Sequence, residues 1–307
     1  MDNLQTKILG YLTYCQNQKR LDSKTIKAYR IDLSQFVSFH SNDFSNFTNP
    51  ISIEEFISSL HQSFRPKTVK RKIATLKAFY HYLEYKDIIT INPFNKLQTK
   101  FREPIILPKV IPLHIIENLL AILYKQQKLT LTVFQEKCLS RDIAIIELLF
   151  ATGVRISELC SLKLSDIDFI EKNLLIYGKG SKERRIQIGN DEVISALRIY
   201  QNSFKKELET SDYFFINRLN KRLSEQSVRN MINKYSKLAT IKLHITPHMF
   251  RHSFATYLLE EDVDIRYIQE MLGHSSINVT EIYTHVTMAK QKNILTKKHP
   301  RNTLILK

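Results

Sequence analysis

The sequence predicts a mainly α protein with one small antiparallel β-sheet, built as two basic folded units joined by a stiff linker. Three observations lead there. Apolar residues recur at helical spacing along most of the 307 residues, a length comfortable for two cores. Glycine occurs only six times, and the two β-prone runs flank one glycine-bearing turn. Pro104, Pro108 and Pro112 fall within nine residues, an extended stretch that a helix cannot cross. The expected division is a helical domain over 1–103, a linker over 104–112 and a second domain over 113–307.

The first hundred residues read as four helices. Ser23 is expected to cap a segment in which Ile26, Tyr29, Leu33 and Phe36 share one face. The next helix is expected to start near Ser52 and run through Glu54, Phe56, Ile57 and Leu60. After Arg65-Pro66, an apolar stripe runs through Val69, Ile73, Leu76, Tyr80 and Leu83. Lys67, Lys70, Arg71 and Lys77 lie mostly on another face of that helix. Such a row suits a phosphate backbone; plain solvation is the alternative.

In the second domain, Arg141 to Phe150 reads as a buried helix ending at Thr152-Gly153, with helix resuming over Arg155 to Leu159. Asn173–Tyr177 and Arg185–Ile188 are short strands around Gly178-Lys179-Gly180-Ser181-Lys182-Glu183, a hairpin with a basic turn. Thr246 is expected as an N-cap with Pro247 at the first helical position. Phe250, Phe254 and Leu258 form the core-facing stripe of that helix. Asp264 is expected to cap the next one and Gly273 to end it.

Composition narrows the function. Hydrophobic residues make up 43%, enough for packed cores. No apolar run approaches the roughly 18–20 residues of a membrane span, and Met1 to Gly10 lack a signal-peptide pattern. Cys15, Cys138 and Cys160 are far apart, which reads as a reduced, cytoplasmic chain without a disulfide framework. The formal net charge is +16, and it is spread: residues 1–107 hold 16 basic against 9 acidic side chains. Two basic halves suggest a large polyanion, DNA, clamped between them, which would place the protein at the nucleoid.

His248 and Arg251 share one helix face, in a first turn whose free N–H groups favour an anion. His248 and His252 have the spacing of a zinc pair. Met249, however, stands where a His-Glu-x-x-His protease has its glutamate, and no third ligand is evident. Arg155, just past Gly153, offers a planar fork for two phosphate oxygens; an ion pair with Glu158 one turn on is the plainer reading. Lys179 stands between two glycines at the hairpin tip, and His274 follows a helix end. Tyr283 closes the basic cluster. A phenol, with a pKa of about 10, becomes a usable nucleophile among fixed positive charges and opposite a phosphate.

Together these stretches resemble the tyrosine recombinase (phage integrase) family, and within it the bacterial Xer recombinases. The matching segments are Ala-Thr-Gly-Val-Arg-Ile-Ser-Glu-Leu at 151–159, Gly-Lys-Gly-Ser-Lys-Glu-Arg at 178–184, Thr-Pro-His-Met-Phe-Arg-His-Ser-Phe-Ala-Thr at 246–256 and Leu-Gly-His-Ser-Ser to Ile-Tyr-Thr-His-Val at 272–286. The first domain is similar to the family's SAM-like core-binding domain, the second to its catalytic domain.

The resemblance implies a catalytic set of Arg155, Lys179, His248, Arg251, His274 and Tyr283, with Glu158 orienting it. Tyr283 would attack the scissile phosphate, giving a 3′-phosphotyrosyl link and a free 5′-hydroxyl. Arg155, Arg251 and His274 would stabilise the transition state, Lys179 would protonate the leaving oxygen and His248 would handle the tyrosyl proton. Neither metal nor ATP is implied. The expected assembly is a homo-tetramer on two duplexes, with or without a second recombinase, and residues 287–297 are expected as a helix docked on a neighbour through Ile294 and Leu295.

Two rival readings are a type IB topoisomerase and a DNA-binding regulator without catalysis; the six filled positions weigh against the second. Residues 124–137 and 302–307 look longer than in a compact Xer protein, which tilts the expected role from chromosome dimer resolution toward a mobile-element integrase.

Overall fold

The computed structural model describes residues 4–40, 47–104, 108–129, 132–178 and 183–273. The chain divides into two compact units, Met1–Ile105 and Ile106–Lys307.

The first unit is built on α1 (Leu4–Asn17), α2 (Ser23–Phe39), α3 (Pro50–Ser63) and α4 (Pro66–Tyr85), followed by a 3₁₀ turn at Pro93–Lys96. Two expected starts shift. Asp22, not Ser23, caps α2, its carboxylate accepting from the amide of Lys24 at 2.7 Å. Asn49 caps α3, accepting from Ile51 at 3.0 Å, and Pro50 takes the first helical position. Ser52 instead lies inside the helix, its hydroxyl 3.1 Å from His40 Nδ1. The predicted stripes are buried: Leu33, Phe36, Val69, Leu76, Phe79 and Tyr80 meet in one core. Asp32 is buried beside it and accepts from Lys72 at 3.0 Å, from Thr75 at 3.0 Å and from Arg71.

The second unit opens with α5 (Leu113–Gln126) and α6 (Val133–Thr152), then α7 (Ile156–Leu159) and a 3₁₀ turn at Leu164–Asp166. Strands β1 (Ile167–Asp168), β2 (Asn173–Tyr177) and β3 (Glu183–Gln187) follow, then α8 (Asp191–Ser203), α9 (Lys205–Leu208), α10 (Glu225–Leu238), α11 (Pro247–Glu260) and α12 (Ile265–Leu272). Helix α6 begins earlier than its apolar run suggested, at a Thr132–Gln135 capping box. Its central turns are buried on nearly all sides, so its charges need partners. Asp142 accepts from Arg141 at 3.0 Å and from Tyr235 at 3.0 Å, and Glu147 from Tyr124 at 2.8 Å.

The sheet is antiparallel in the order β1-β2-β3, one strand more than the expected hairpin. Leu174 pairs with Ile186 and Ile176 with Arg184. Side chains alternate across a strand, so Arg184 shares the inward face with Leu174, Ile176 and Ile186. Ile111, in the proline-rich stretch, is anchored in this unit: its amide donates to Ser253 at 2.8 Å and its carbonyl accepts from Tyr257 at 2.7 Å.

Candidate active site

The site forms where two helices end and two begin. Helix α6 ends at Gly153 in the left-handed conformation (φ 59°), and α12 ends the same way at Gly273 (φ 63°). Space presses on both as well, and harder on Gly153. A Cβ on Gly153 would lie 2.8 Å from Phe254 and 3.0 Å from Leu272, and one on Gly273 would lie 3.0 Å from Arg184. Phe254, Leu258, Ala255, Ile268 and Leu272 form a small separate core that packs α11 on α12, while Phe250 joins the main core.

Three arginines converge on the carbonyl groups that end α12. Arg251, from α11, donates to Leu272 at 2.6 Å and to Gly153 at 2.9 Å, so one buried guanidinium ties both helix ends. Arg155, at the start of α7, donates to Gly273 at 3.3 Å. Arg184, from β3, donates to Met271 at 2.8 Å. Cations at a helix C-terminus meet carbonyls without helical partners and the negative end of the dipole. The next residue along the chain is His274.

Glu158 organises the arginines. Its carboxylate accepts from Arg155 Nη1 at 2.7 Å and the Arg155 amide at 2.8 Å, and from Arg184 Nη1 and Nη2 at 3.0 and 2.8 Å. Burial alone would push the Glu158 carboxyl up. The bonds from Arg184 and from the Arg155 amide outweigh it and hold the group below the ordinary carboxylate range. Glu158 is therefore an anion at neutral pH.

His248 reaches solvent from the first turn of α11. Packing around the ring, then the charges of Arg251, Arg229 and Arg155, hold its pKa below the ordinary imidazole value, with Glu225 acting the other way. His252, half-buried, is lowered to about 4 by burial and by His248 and Arg251. Both rings are neutral at neutral pH, so His248 has a lone pair with which to accept a proton. Among the described residues no three His, Cys, Asp or Glu side chains come together as a metal set.

The structure thus brings Arg155, Glu158, His248 and Arg251 to one place. Lys179, His274, Tyr283 and the expected 287–297 helix lie outside the described residues. Arg184 is the addition: a charge on the inward alternation of β3 was its available signal. Of the cations expected along DNA, Lys67 is exposed, Lys70 pairs with Glu103, and Arg71 is drawn to Asp32. Lys77 has its ammonium 6.0 Å from the ring of Phe94.

Residues 121–290 match the phage integrase family, and residues 8–86 match the phage integrase N-terminal SAM-like domain. The chain belongs to the phage integrase family. A tyrosine recombinase of Agathobacter rectalis is 60% identical, with 98% of each chain covered. Tyrosine recombinase XerC of Oceanobacillus iheyensis is 35% identical, again with 98% of each chain covered. The fold is that of the XerH recombinase bound to a palindromic difH substrate, with a TM-score of 0.75 at 22% identity over 94% of this chain and 84% of that one. This member of the family is a tyrosine recombinase, an enzyme of Xer type that cleaves and rejoins DNA. Among the described residues no helix is long and apolar enough to cross a membrane.

Proposed function

We propose that this chain binds a two-part DNA recombination site and exchanges strands through a 3′-phosphotyrosyl intermediate on Tyr283, without metal or ATP. The observation that carries the reading is the convergence of Arg155, Arg251 and His248 beside the end of α12. Phosphodiester attack adds negative charge to the non-bridging oxygens, and fixed guanidinium groups in a partly dry site stabilise that charge. Arg155 and Arg251 do this, joined by His274. The phenol oxygen of Tyr283 bonds to phosphorus while its proton passes to neutral His248. The bond from phosphorus to the 5′-oxygen breaks, and Lys179 protonates that oxygen. The link keeps the energy of the phosphodiester, so a 5′-hydroxyl from the partner strand reverses the step and completes the exchange.

The assembly proposed is a homo-tetramer on two duplexes, held in part by residues 287–297. The apolar pair Ile294 and Leu295 would contribute roughly 1.5–3 kcal/mol each if buried in a neighbour. The test of the function is a suicide substrate nicked near the cleavage point, resolved on a denaturing gel. Wild-type protein gives a covalent band and Tyr283→Phe gives none while still shifting the DNA. A covalent band in the Phe variant assigns the nucleophile elsewhere.

A further inference from the structure

We infer that Arg184 is a positioning residue for DNA cleavage: it holds Glu158, and through Glu158 it keeps Arg155 oriented toward the scissile phosphate. The inference rests on the reading of Arg155 as a phosphate ligand. All three nitrogens of Arg184 are committed, to Glu158 at 3.0 and 2.8 Å and to the Met271 carbonyl at 2.8 Å. Its side chain is 10% exposed, against 34% for Arg155. Arg184 is thus turned toward Glu158 and the end of α12, whereas Arg155 keeps an open edge.

The charge balance gives Arg184 its purpose. One carboxylate facing Arg155 alone would cancel its charge and draw its fork into a bidentate pair. With Arg184 occupying both carboxylate oxygens, the three groups keep a net positive charge, and Glu158 orients Arg155 without neutralising the cluster. Arg184 also braces the α12 end, because its Nε donates to the Met271 carbonyl at 2.8 Å. Its place on the inner face of β3, opposite Ile176, fixes it from the sheet side.

The test measures single-turnover cleavage and half-site affinity in the full-length protein, for wild type, R184M, R184K, E158Q and E158Q/R184M. R184M should bind within about 3-fold of wild type and cleave roughly 100-fold more slowly, the scale of losing one preorganised charge contact. R184K restores the charge without the three-pronged geometry and should recover only part of the rate. Because Arg184 acts through Glu158, the double variant should cleave no more slowly than E158Q, whereas independent roles multiply the losses. Wild-type cleavage by R184M, parallel loss of binding and cleavage, or multiplied losses in the double variant would each overturn the inference. If R184M lacks a cooperative melt, R184K replaces it in the cycle, and E158Q/R184K is read against E158Q by the same criterion. If wild-type protein itself forms no covalent product, the reading of the site fails; if wild type cleaves and R184M matches it, only the role of Arg184 fails.

Discussion

Arg251 donates to the carbonyl of Gly153 at 2.9 Å, fastening the first turns of α11 to the cap of α6. A site residue thereby depends on a glycine far away in the sequence. Gly153→Ala forces a left-handed alanine and a contact 2.8 Å from Phe254. The expected cost is about 1–3 kcal/mol, seen as a lowered midpoint in denaturant unfolding. An unchanged midpoint would show that the α6 end relaxes freely.

Arg251→Lys keeps the charge but cannot reach both the Gly153 and Leu272 carbonyls. Single-turnover cleavage should fall by roughly 10²-fold or more, with half-site affinity much less affected. Cleavage within a few-fold of wild type would mean that charge alone suffices at this position.

Lys67 and Arg71 should separate by assay. Lys67→Ala is expected to weaken DNA binding uniformly and to lower the slope of log affinity against log salt by about 0.9. Arg71→Ala removes a partner of buried Asp32, so its main effect should be a lower unfolding midpoint. A salt slope unmoved by Lys67→Ala would take α4 off the phosphate backbone at that residue.

Glu147 gives a pH signature. Burial raises its carboxyl pKa; the Tyr124 hydrogen bond opposes this and Glu192 adds to it. A raised folded-state pKa means that its stability contribution is complete below the unfolded carboxylate value and is lost as pH rises through the folded one. Glu147→Gln removes that loss and keeps an acceptor for Tyr124. The melting-temperature difference, variant minus wild type, should therefore grow between about pH 4 and pH 8. A difference that is flat or shrinks with rising pH would contradict it.

The helices were legible because burial is periodic: Leu33 and Phe36, or Leu76 and Tyr80, lie inward at their spacing. Caps were less so. Asp22 and Ser23 are both capping residues, and only geometry decides which one accepts. Strand β1 has two residues, too few for alternation to show. In the site, Arg155 with Glu158 and His248 with Arg251 are local pairs that spacing alone makes neighbours. The bonds of Arg184 to Glu158 and of Arg71 to Asp32 join residues from different elements, and no local pattern encodes them.

The most direct measurement is the chemical identity of the DNA-linked residue. Wild-type covalent complex trapped on a nicked site, digested with trypsin and nuclease, is sequenced by tandem mass spectrometry. The account predicts a nucleotide adduct in the peptide spanning 267–290, on Tyr283 and not on exposed Tyr267 of the same peptide. An adduct on Tyr267, or on any residue outside that peptide, would contradict it.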